Sequence, residues 1–116
     1  MAGSNKHKKA PSETEIRGQL REFLEWQGWF VFYHLQGLGS YPGLPDLQAV
    51  KGGRTLYIEV KRPGGRQSTR QLKFQQELEA AGGTYVLARC LEDLYLGHAP
   101  PARRGSPGAA IVSRKG

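Results

Sequence analysis

The sequence predicts a small α/β domain in which helices cover one mixed sheet. Three observations predict this class: apolar residues at helical spacing near the N-terminus, two short apolar strands joined by a glycine turn, and a second helical segment that ends at a glycine pair. A chain of 116 residues, 38% of them hydrophobic, is long enough for one core but short for two. We therefore expect one folded domain at 12–97, preceded by a flexible basic arm at 1–11 and followed by a Pro/Gly/Arg-rich tail at 98–116.

The first predicted helix begins at Ser12 and ends at Gly28. Ser12 and Glu15 have the S-x-x-E spacing of a capping box, which satisfies backbone N–H groups at a helix start. Four apolar residues follow at helical spacing: Ile16, Leu20, Phe23 and Leu24. The apolar run from Trp29 to His34 has no helical period, and we interpret it as a strand buried on both faces.

Two further strands follow a loop rich in glycine and proline. The segments DLQAV and TLYIEVK flank Lys51-Gly52-Gly53-Arg54, in which the two glycines can form a tight hairpin turn. In that register Leu47 lies opposite Ile58 on an apolar face, and Asp46 lies opposite Glu59 on the other face.

The remaining elements are a helix, a strand and a short helical turn. The segment from about Ser68 to Ala81 is predicted to be helical, with Leu72, Gln75, Leu78 and Ala81 on one stripe. It ends at Gly82-Gly83, where glycine can adopt the left-handed cap conformation. TYVLAR predicts a fourth strand and LEDLYLG a short helix, which completes a mixed α/β order.

The charge of the chain favours a polyanionic partner. There are 17 Lys and Arg residues against 10 Asp and Glu residues, which gives a formal net charge of +7. Nucleic acid is the leading candidate for such a surface. Many small basic proteins are simply cationic, however, so charge alone identifies no reaction.

The cysteine and histidine content favours a reducing, cytoplasmic compartment. Cys90 is the single cysteine of the sequence and cannot form an internal disulfide. The histidines, His7, His34 and His98, are too far apart in the sequence for a zinc motif, and we assign them no role. The longest apolar run is far shorter than a membrane span, so we expect no membrane association.

The two opposed acids on the hairpin require compensation, because facing side chains have Cβ atoms only ~4.5–5.5 Å apart and like charges there are destabilising. Lys61 lies on the same face as Glu59, so one interpretation is a surface cluster that neutralises itself. The other is a magnesium site, since Mg²⁺ prefers carboxylate oxygens and retains waters that a phosphate can displace. Such a site supports phosphodiester hydrolysis.

Pro45-Asp46 followed by Glu59-Val60-Lys61 resembles the signature of the PD-(D/E)XK nuclease superfamily. The longer run from GLPDLQAVKGG to GGTYVLARCLEDL looks more closely like the VRR-NUC family, and the resemblance covers about Glu15 to Leu94. It implies a restriction-endonuclease-like core and a Mg²⁺ or Mn²⁺ cofactor. It also implies that Asp46, Glu59 and the carbonyl of Val60 bind the metal, with Lys61 as the catalytic lysine.

The resemblance implies two further catalytic residues, for each of which a simpler role stays open. Gln71 matches the glutamine that follows the EXK strand in the family, but Ser68 and Gln71 also have capping-box spacing. Glu15 matches an acid on the first helix of related resolvases, but it is also the capping-box partner of Ser12. Each residue could serve the site or only its helix.

Six basic residues are candidates for contacts with DNA phosphates, although each could equally be a solvated surface charge. They are Lys51, Arg54, Arg62, Arg66, Arg70 and Lys73. Tyr41 and Tyr57 could stack or hydrogen-bond near the site. The sequence contains no recognisable module for reading bases, so the shape or branching of DNA is the expected target.

The resemblance implies a homodimer that resolves four-way DNA junctions, in a bacterial cell and possibly encoded by a phage. A two-fold axis would relate two sites that cut symmetric strands. The alternatives are a flap or nicking nuclease, which needs no symmetric dimer, and a non-catalytic DNA-binding protein in which the acids only form a charge network.

Overall fold

The computed structural model describes residues 10–96, with the side chain of Leu96 excepted. Within this range the elements are α1 (Glu13–Trp26), β1 (Phe30–Tyr33), β2 (Leu47–Lys51), β3 (Arg54–Val60), α2 (Thr69–Ala80), β4 (Thr84–Ala88) and α3 (Asp93–Leu96). Nearly all of the predicted basic arm and the whole predicted tail lie outside the described residues. Across residues 10–96, no helix combines the length and the apolar character needed to cross a membrane.

The four strands form one mixed sheet in the order β1-β2-β3-β4. The pairs β1/β2 and β2/β3 are antiparallel, whereas β3 and β4 are parallel and are connected through α2. The predicted hairpin register is confirmed, since Leu47 pairs with Ile58 and Lys51 pairs with Arg54. Gly52 and Gly53 have φ angles of 56° and 79°, the left-handed conformation that a two-residue hairpin turn requires.

The hydrophobic core lies between α1 and one face of the sheet. The capping box predicted for α1 is present, with Ser12 as its N-cap. The buried cluster consists of Ile16, Leu20, Leu24, Val31, Leu47, Ala49, Leu56, Ile58, Val60, Val86, Ala88 and Leu94. Each large aliphatic side chain in such a cluster contributes about 1.5–3 kcal/mol by leaving water, so this layer fixes where the sheet lies against α1.

The interpretation of the first strand as buried on both faces is wrong. β1 is an edge strand that pairs only with β2, and Val31 is its one buried residue. Phe30, 67% exposed, and Phe32 lie on the face away from α1, with their ring centroids 5.4 Å apart. The error arose because an apolar run without a period is also compatible with an edge strand that leaves aromatic residues uncovered.

Helix α2 covers the opposite face of the sheet near β4. The predicted stripe of α2 is partly wrong, because Leu72 is exposed and Phe74 faces the sheet instead. The Phe74 ring lies 6.1 Å from that of Tyr57 and 6.4 Å from that of Tyr85. No residue of α2 is fully buried, so its position depends on these aromatic contacts and on the polar bonds at its first turn.

Gly43 allows the loop before β2 to pack directly against the first turn of α2. Its φ angle is +79°, and a Cβ atom at this position would collide with the carbonyl oxygen of Arg70 and lie 2.9 Å from the amide nitrogen of Gln71. Both contacts are to backbone, which cannot rotate away. Gly43 therefore sets the separation between the loop that leads to Asp46 and the helix that carries Gln71.

Replacement of Gly43 by alanine is expected to destabilise the fold by roughly 1–3 kcal/mol more than Gly39→Ala, the cost typical of an overpacked site. Gly39 is the matched control, because it has a similar positive φ of +91° but nothing within 4 Å of its added Cβ. Urea unfolding of both variants measures the difference. Equal losses would mean that conformational strain, and not the contact with α2, makes glycine necessary at position 43.

Candidate functional site

The two hairpin acids, Asp46 and Glu59, meet where β2 begins and β3 ends. Glu59 is 2% exposed and is the buried charged residue among residues 10–96. Asp46 directly precedes β2, and its Oδ2 accepts a hydrogen bond of 2.8 Å from the backbone N–H of Val60. This bond crosses from one strand end to the other, so the hairpin itself holds the two carboxylates together.

The two oxygens of the Glu59 carboxylate have different surroundings. Oε2 accepts a 2.8 Å hydrogen bond from Nε2 of Gln71 and lies 3.8 Å from Nζ of Lys61. Oε1 is buried and has no hydrogen-bond partner among the described residues. Burial, followed by the negative charge of Asp46, raises the pKa of Glu59 to about 8, and the positive charge of Lys61 opposes this only in part. A buried acceptor in this condition needs a proton or a cation.

Gln71 serves both of the roles that the sequence left open. Its Oε1 accepts a 2.8 Å bond from the Ser68 backbone N–H, and the Ser68 hydroxyl accepts a 3.1 Å bond from the Gln71 N–H. Because the side-chain oxygen is used in the cap, the amide NH₂ group points to Glu59. The capping box of α2 thus orients a hydrogen-bond donor towards the buried carboxylate.

The carboxylate of Glu15 is used in the capping box of α1. Its Oε1 accepts a 2.9 Å bond from the Ser12 backbone N–H, and the residue is exposed. The acid of α1 whose charge raises the pKa of Glu59 is instead Glu13. Sequence reasoning missed Glu13, although it lies three residues before the buried Ile16 and thereby extends the stripe that faces the sheet.

Arg17 is a second residue of the site that the sequence did not single out. Its NH1 lies 3.7 Å from Oδ1 of Asp46, and its positive charge lowers the pKa of Glu59 against the larger raising effects. Arg17 follows Glu13 by one helical turn, so both charged residues flank the apolar stripe of α1. That position at the edge of the stripe was the available signal.

His34, to which the sequence analysis assigned no role, makes structural hydrogen bonds beside the site, whereas His7 and His98 lie outside the described residues. Nδ1 of His34 is 2.8 Å from the carbonyl oxygen of Pro45, and its backbone N–H donates a 2.8 Å bond to the carbonyl of Asp46. Nε2 of Gln36 donates to the same Pro45 carbonyl at 3.1 Å. His34 and Gln36 therefore fix the segment that delivers Asp46 to the site.

The basic residues predicted to contact DNA fall into two groups. Lys51 and Arg54 lie at the hairpin tip, five strand residues or roughly 16 Å from the acids at ~3.3 Å per residue. Lys51 donates a 2.6 Å bond to the Gln27 carbonyl at the end of α1, and Arg54 lies over the Trp29 ring. These contacts tie the tip to α1, away from the carboxylates.

The second group lies on the side of the acids. Arg62 and Arg66 are exposed in the loop that follows β3, and Arg70 and Lys73 are exposed on α2 next to Gln71. Together with Lys61, most of the basic residues predicted to contact phosphates therefore lie near the end of the hairpin that carries Asp46 and Glu59.

The donor set at the acids suits a hard divalent cation. The described part of the chain contains no group of three or more His, Cys, Asp or Glu side chains arranged around one point. Two carboxylates are nevertheless adjacent, and a backbone carbonyl at Val60 would make an all-oxygen set of the kind that Mg²⁺ prefers. The unpartnered Oε1 of Glu59 is the observation that fits such an ion.

The chain has the same fold as a domain of known structure. A solved structure described as "VRR_NUC domain" is similar to it, with a TM-score of 0.65 and 22% sequence identity, over 75% of this chain and 96% of that chain. No family model matches the sequence, and no curated protein matches it either. The predicted PD-(D/E)XK-like fold, a small mixed sheet with flanking helices, is confirmed by this similarity and by the sheet itself.

Substitution of Glu59 by glutamine is expected to change how stability depends on pH. The carboxyl has a pKa of about 8 in the folded chain and 4.5 as its ordinary value, so between these pH values the folded state holds a proton that the unfolded state has released. The contribution of Glu59 to the free energy of unfolding is therefore complete below pH ~4.5 and is lost as the pH rises to about 8. Because glutamine does not ionise, the Glu59→Gln variant does not lose this stability as the pH rises.

In EDTA, the Glu59→Gln variant should match the parent protein near pH 4.5 and exceed its free energy of unfolding by roughly 5 kcal/mol at most at pH 8.5, since each unit by which a pKa is raised corresponds to about 1.4 kcal/mol. Urea unfolding at several pH values measures this. The exposed Glu22→Gln is the control. Parallel pH profiles for parent and Glu59→Gln would show that the buried carboxyl does not titrate as described.

Proposed function

We propose that the protein is a VRR-NUC family member that acts as a metal-dependent, structure-selective DNA endonuclease, and that it is a homodimeric resolvase of four-way junctions. The observation that carries the proposal is the buried Oε1 of Glu59, which has no partner within residues 10–96 although Asp46 and Lys61 are close by. A carboxylate kept in this condition is destabilising in a purely structural role. A bound cation and a phosphate substrate would remove the conflict.

Asp46, Glu59 and the Val60 carbonyl are the residues that would hold Mg²⁺ or Mn²⁺. An ion bound there would act as a Lewis acid towards the phosphate and lower the pKa of a bound water. Gln71 contributes orientation, because its amide holds Oε2 of Glu59 and leaves Oε1 directed elsewhere. The bond from the Val60 N–H likewise holds one oxygen of Asp46 and leaves the other towards Arg17.

Lys61 is suited to act on the phosphate. Its side chain is 16% exposed, which excludes most of the water that would screen its charge. Its Nζ lies on the Glu59 side of the site, where it can orient an attacking water or neutralise charge that develops on the phosphate oxygens. Arg17, on the Asp46 side, can bind a second phosphate oxygen.

The DNA partner is supported by charge and by position. The sequence has an excess of basic residues, and Arg62, Arg66, Arg70 and Lys73 lie on the side of the acids. No base-reading helix is present among the described elements, which favours recognition of branched DNA by its shape.

The proposed homodimer could use the uncovered end of the sheet. β1 is an edge strand, and the exposed rings of Phe30 and Phe32 form an apolar surface on the face away from α1. A two-fold axis near this edge would pair like surfaces and relate two acid sites. Paired cuts across a four-way junction need such an arrangement.

Metal binding is expected to stabilise the protein without any DNA present. At a concentration 100 times its Kd, a ligand that binds only the folded state adds about 2.7 kcal/mol. Titration with Mg²⁺ or Mn²⁺ should therefore raise Tm in the parent protein, and Asp46→Asn should abolish most of this rise. Asn is a suitable variant, since its side-chain oxygen can still accept the bond from Val60. An equal rise in both proteins would place the ion elsewhere.

Cleavage is tested on an end-labelled four-way junction, beside a flap and a linear duplex of matched sequence, with Mg²⁺, Mn²⁺ or EDTA. We expect paired symmetric cuts in the junction that EDTA abolishes. Lys61→Ala should lower the rate by roughly 10²–10³-fold, the range for loss of one group that stabilises charge in the transition state, and should still bind the junction. Circular dichroism and Tm of the variant control for folding.

The outcomes separate the alternatives. Cuts confined to the flap would retain the nuclease site and reject the resolvase. Binding without scission in either metal would favour a non-catalytic DNA-binding protein. Full activity of Lys61→Ala would reject the assigned site.

A further inference from the structure

A cavity of about 390 Å³ lies between α2 and the loop that leads to β2. Its lining combines aromatic and charged side chains: Tyr41, Pro42, Arg70, Lys73, Phe74 and Glu77. None of its residues is among the carboxylates and the lysine of the acid site. The cavity therefore needs an explanation of its own.

One wall of the cavity is an aromatic platform that is exposed and yet held in place. Tyr41 is 59% exposed, but its ring packs edge-on against Phe74 with the centroids 5.8 Å apart. Its hydroxyl donates a 3.3 Å bond to Oε1 of Glu77. Phe74 in turn contacts Tyr57 of the sheet. Because the ring is already held in place, little side-chain entropy is lost when a planar group stacks on it.

The second wall supplies positive charge. Arg70 and Lys73 are one helical turn apart and both are exposed. Lys73 lies 4.0 Å from Glu77, so its charge is partly compensated. Arg70 forms no ion pair within residues 10–96 and can contact an anion at the mouth of the cavity.

The cavity is adjacent to the acid site. Arg70 immediately precedes Gln71, whose amide holds Glu59. Tyr41 and Pro42 immediately precede Gly43, which packs on the first turn of α2, and the same loop continues to Asp46. A DNA strand with one phosphate at Asp46 and Glu59 would therefore bring a neighbouring nucleotide to this cavity.

We infer that the cavity binds one unpaired nucleobase of the DNA strand that is cut, next to the cleaved phosphate. The base stacks on Tyr41, and Arg70 binds the adjoining phosphate. A base inside a duplex already has stacked neighbours on both faces and cannot enter, so the substrate must offer an unpaired or readily unpaired nucleotide at the cut. This inference rests on the proposed function and specifies its substrate class.

The first test measures binding and does not depend on cleavage. Single-stranded DNA that contains 2-aminopurine, a base whose fluorescence is quenched by stacking, is titrated in EDTA into the parent protein, Tyr41→Phe and Tyr41→Ala. We expect quenching with the first two and loss of quenching, with roughly 10-fold or more weaker binding, for Tyr41→Ala. Tyr41→Phe is the matched control, because it keeps the ring and removes the bond to Glu77.

Equal affinity and equal quenching for Tyr41→Ala would overturn the inference. So would a Tyr41→Phe variant as weak as Tyr41→Ala, since the hydroxyl contact and not stacking would then matter. Arg70→Ala should reduce affinity most at low salt. Tm of each variant controls for folding, which is expected to survive because Tyr41 is largely exposed.

The second test uses cleavage of the branched substrates with single abasic nucleotides placed at successive positions around the cut. An abasic nucleotide at one of these positions should lower the rate of cleavage by the parent protein roughly 10-fold. Tyr41→Ala should cleave that abasic substrate no more slowly than it cleaves the intact substrate. Cleavage that is insensitive to every abasic position, and to Tyr41→Ala, would reject the base pocket and leave the nuclease standing. Failure of the parent protein to cut any substrate would reject the proposed function, and the binding test would then decide the pocket alone.

Discussion

The buried carboxylate of Glu59 is the constraint on which the arrangement of this molecule depends. It lies on a hairpin whose other face packs into the core through Leu47, Ala49, Leu56 and Ile58, so it cannot move to solvent without disturbing that packing. Burial and the charge of Asp46 oppose its ionisation. Gln71 and Lys61 both lie at Oε2 of Glu59, and the hydrogen bond from Val60 holds Asp46 beside it. Oε1 of Glu59 has no partner among the described residues.

The site is built largely from groups that also make the fold. Gln71 closes the capping box of α2 and, through the other end of its amide, holds Glu59. His34 and Gln36 continue from the edge strand and fix the Pro45 carbonyl, and Gly43 seats the same loop on α2. Structural and chemical roles therefore share the same residues. Substitutions at these positions affect the geometry of the carboxylates even where they leave the core intact.

Two exposed aromatic surfaces within residues 10–96 differ in their chemistry. At the edge strand, Phe30 and Phe32 face away from α1, and on the far side of the loop Tyr41 stands over Phe74 beside Arg70. Both expose aromatic rings, but only the second combines a ring with cations and a cavity next to the acids. Because of this difference in chemistry, we propose the first surface for contact with a second protein chain and the second for contact with a DNA strand.

The sequence by itself determined the α/β class, the hairpin register and the opposition of Asp46 and Glu59, because a strand alternates faces and a glycine pair fixes the turn. It could not determine that β1 is an edge strand, since burial depends on which elements cover it. Nor could it show that Arg17 lies beside Asp46, or that Gln71 caps α2 and also holds Glu59. Those facts depend on how α1 and α2 lie across the sheet, and only the packing of the whole chain decides that.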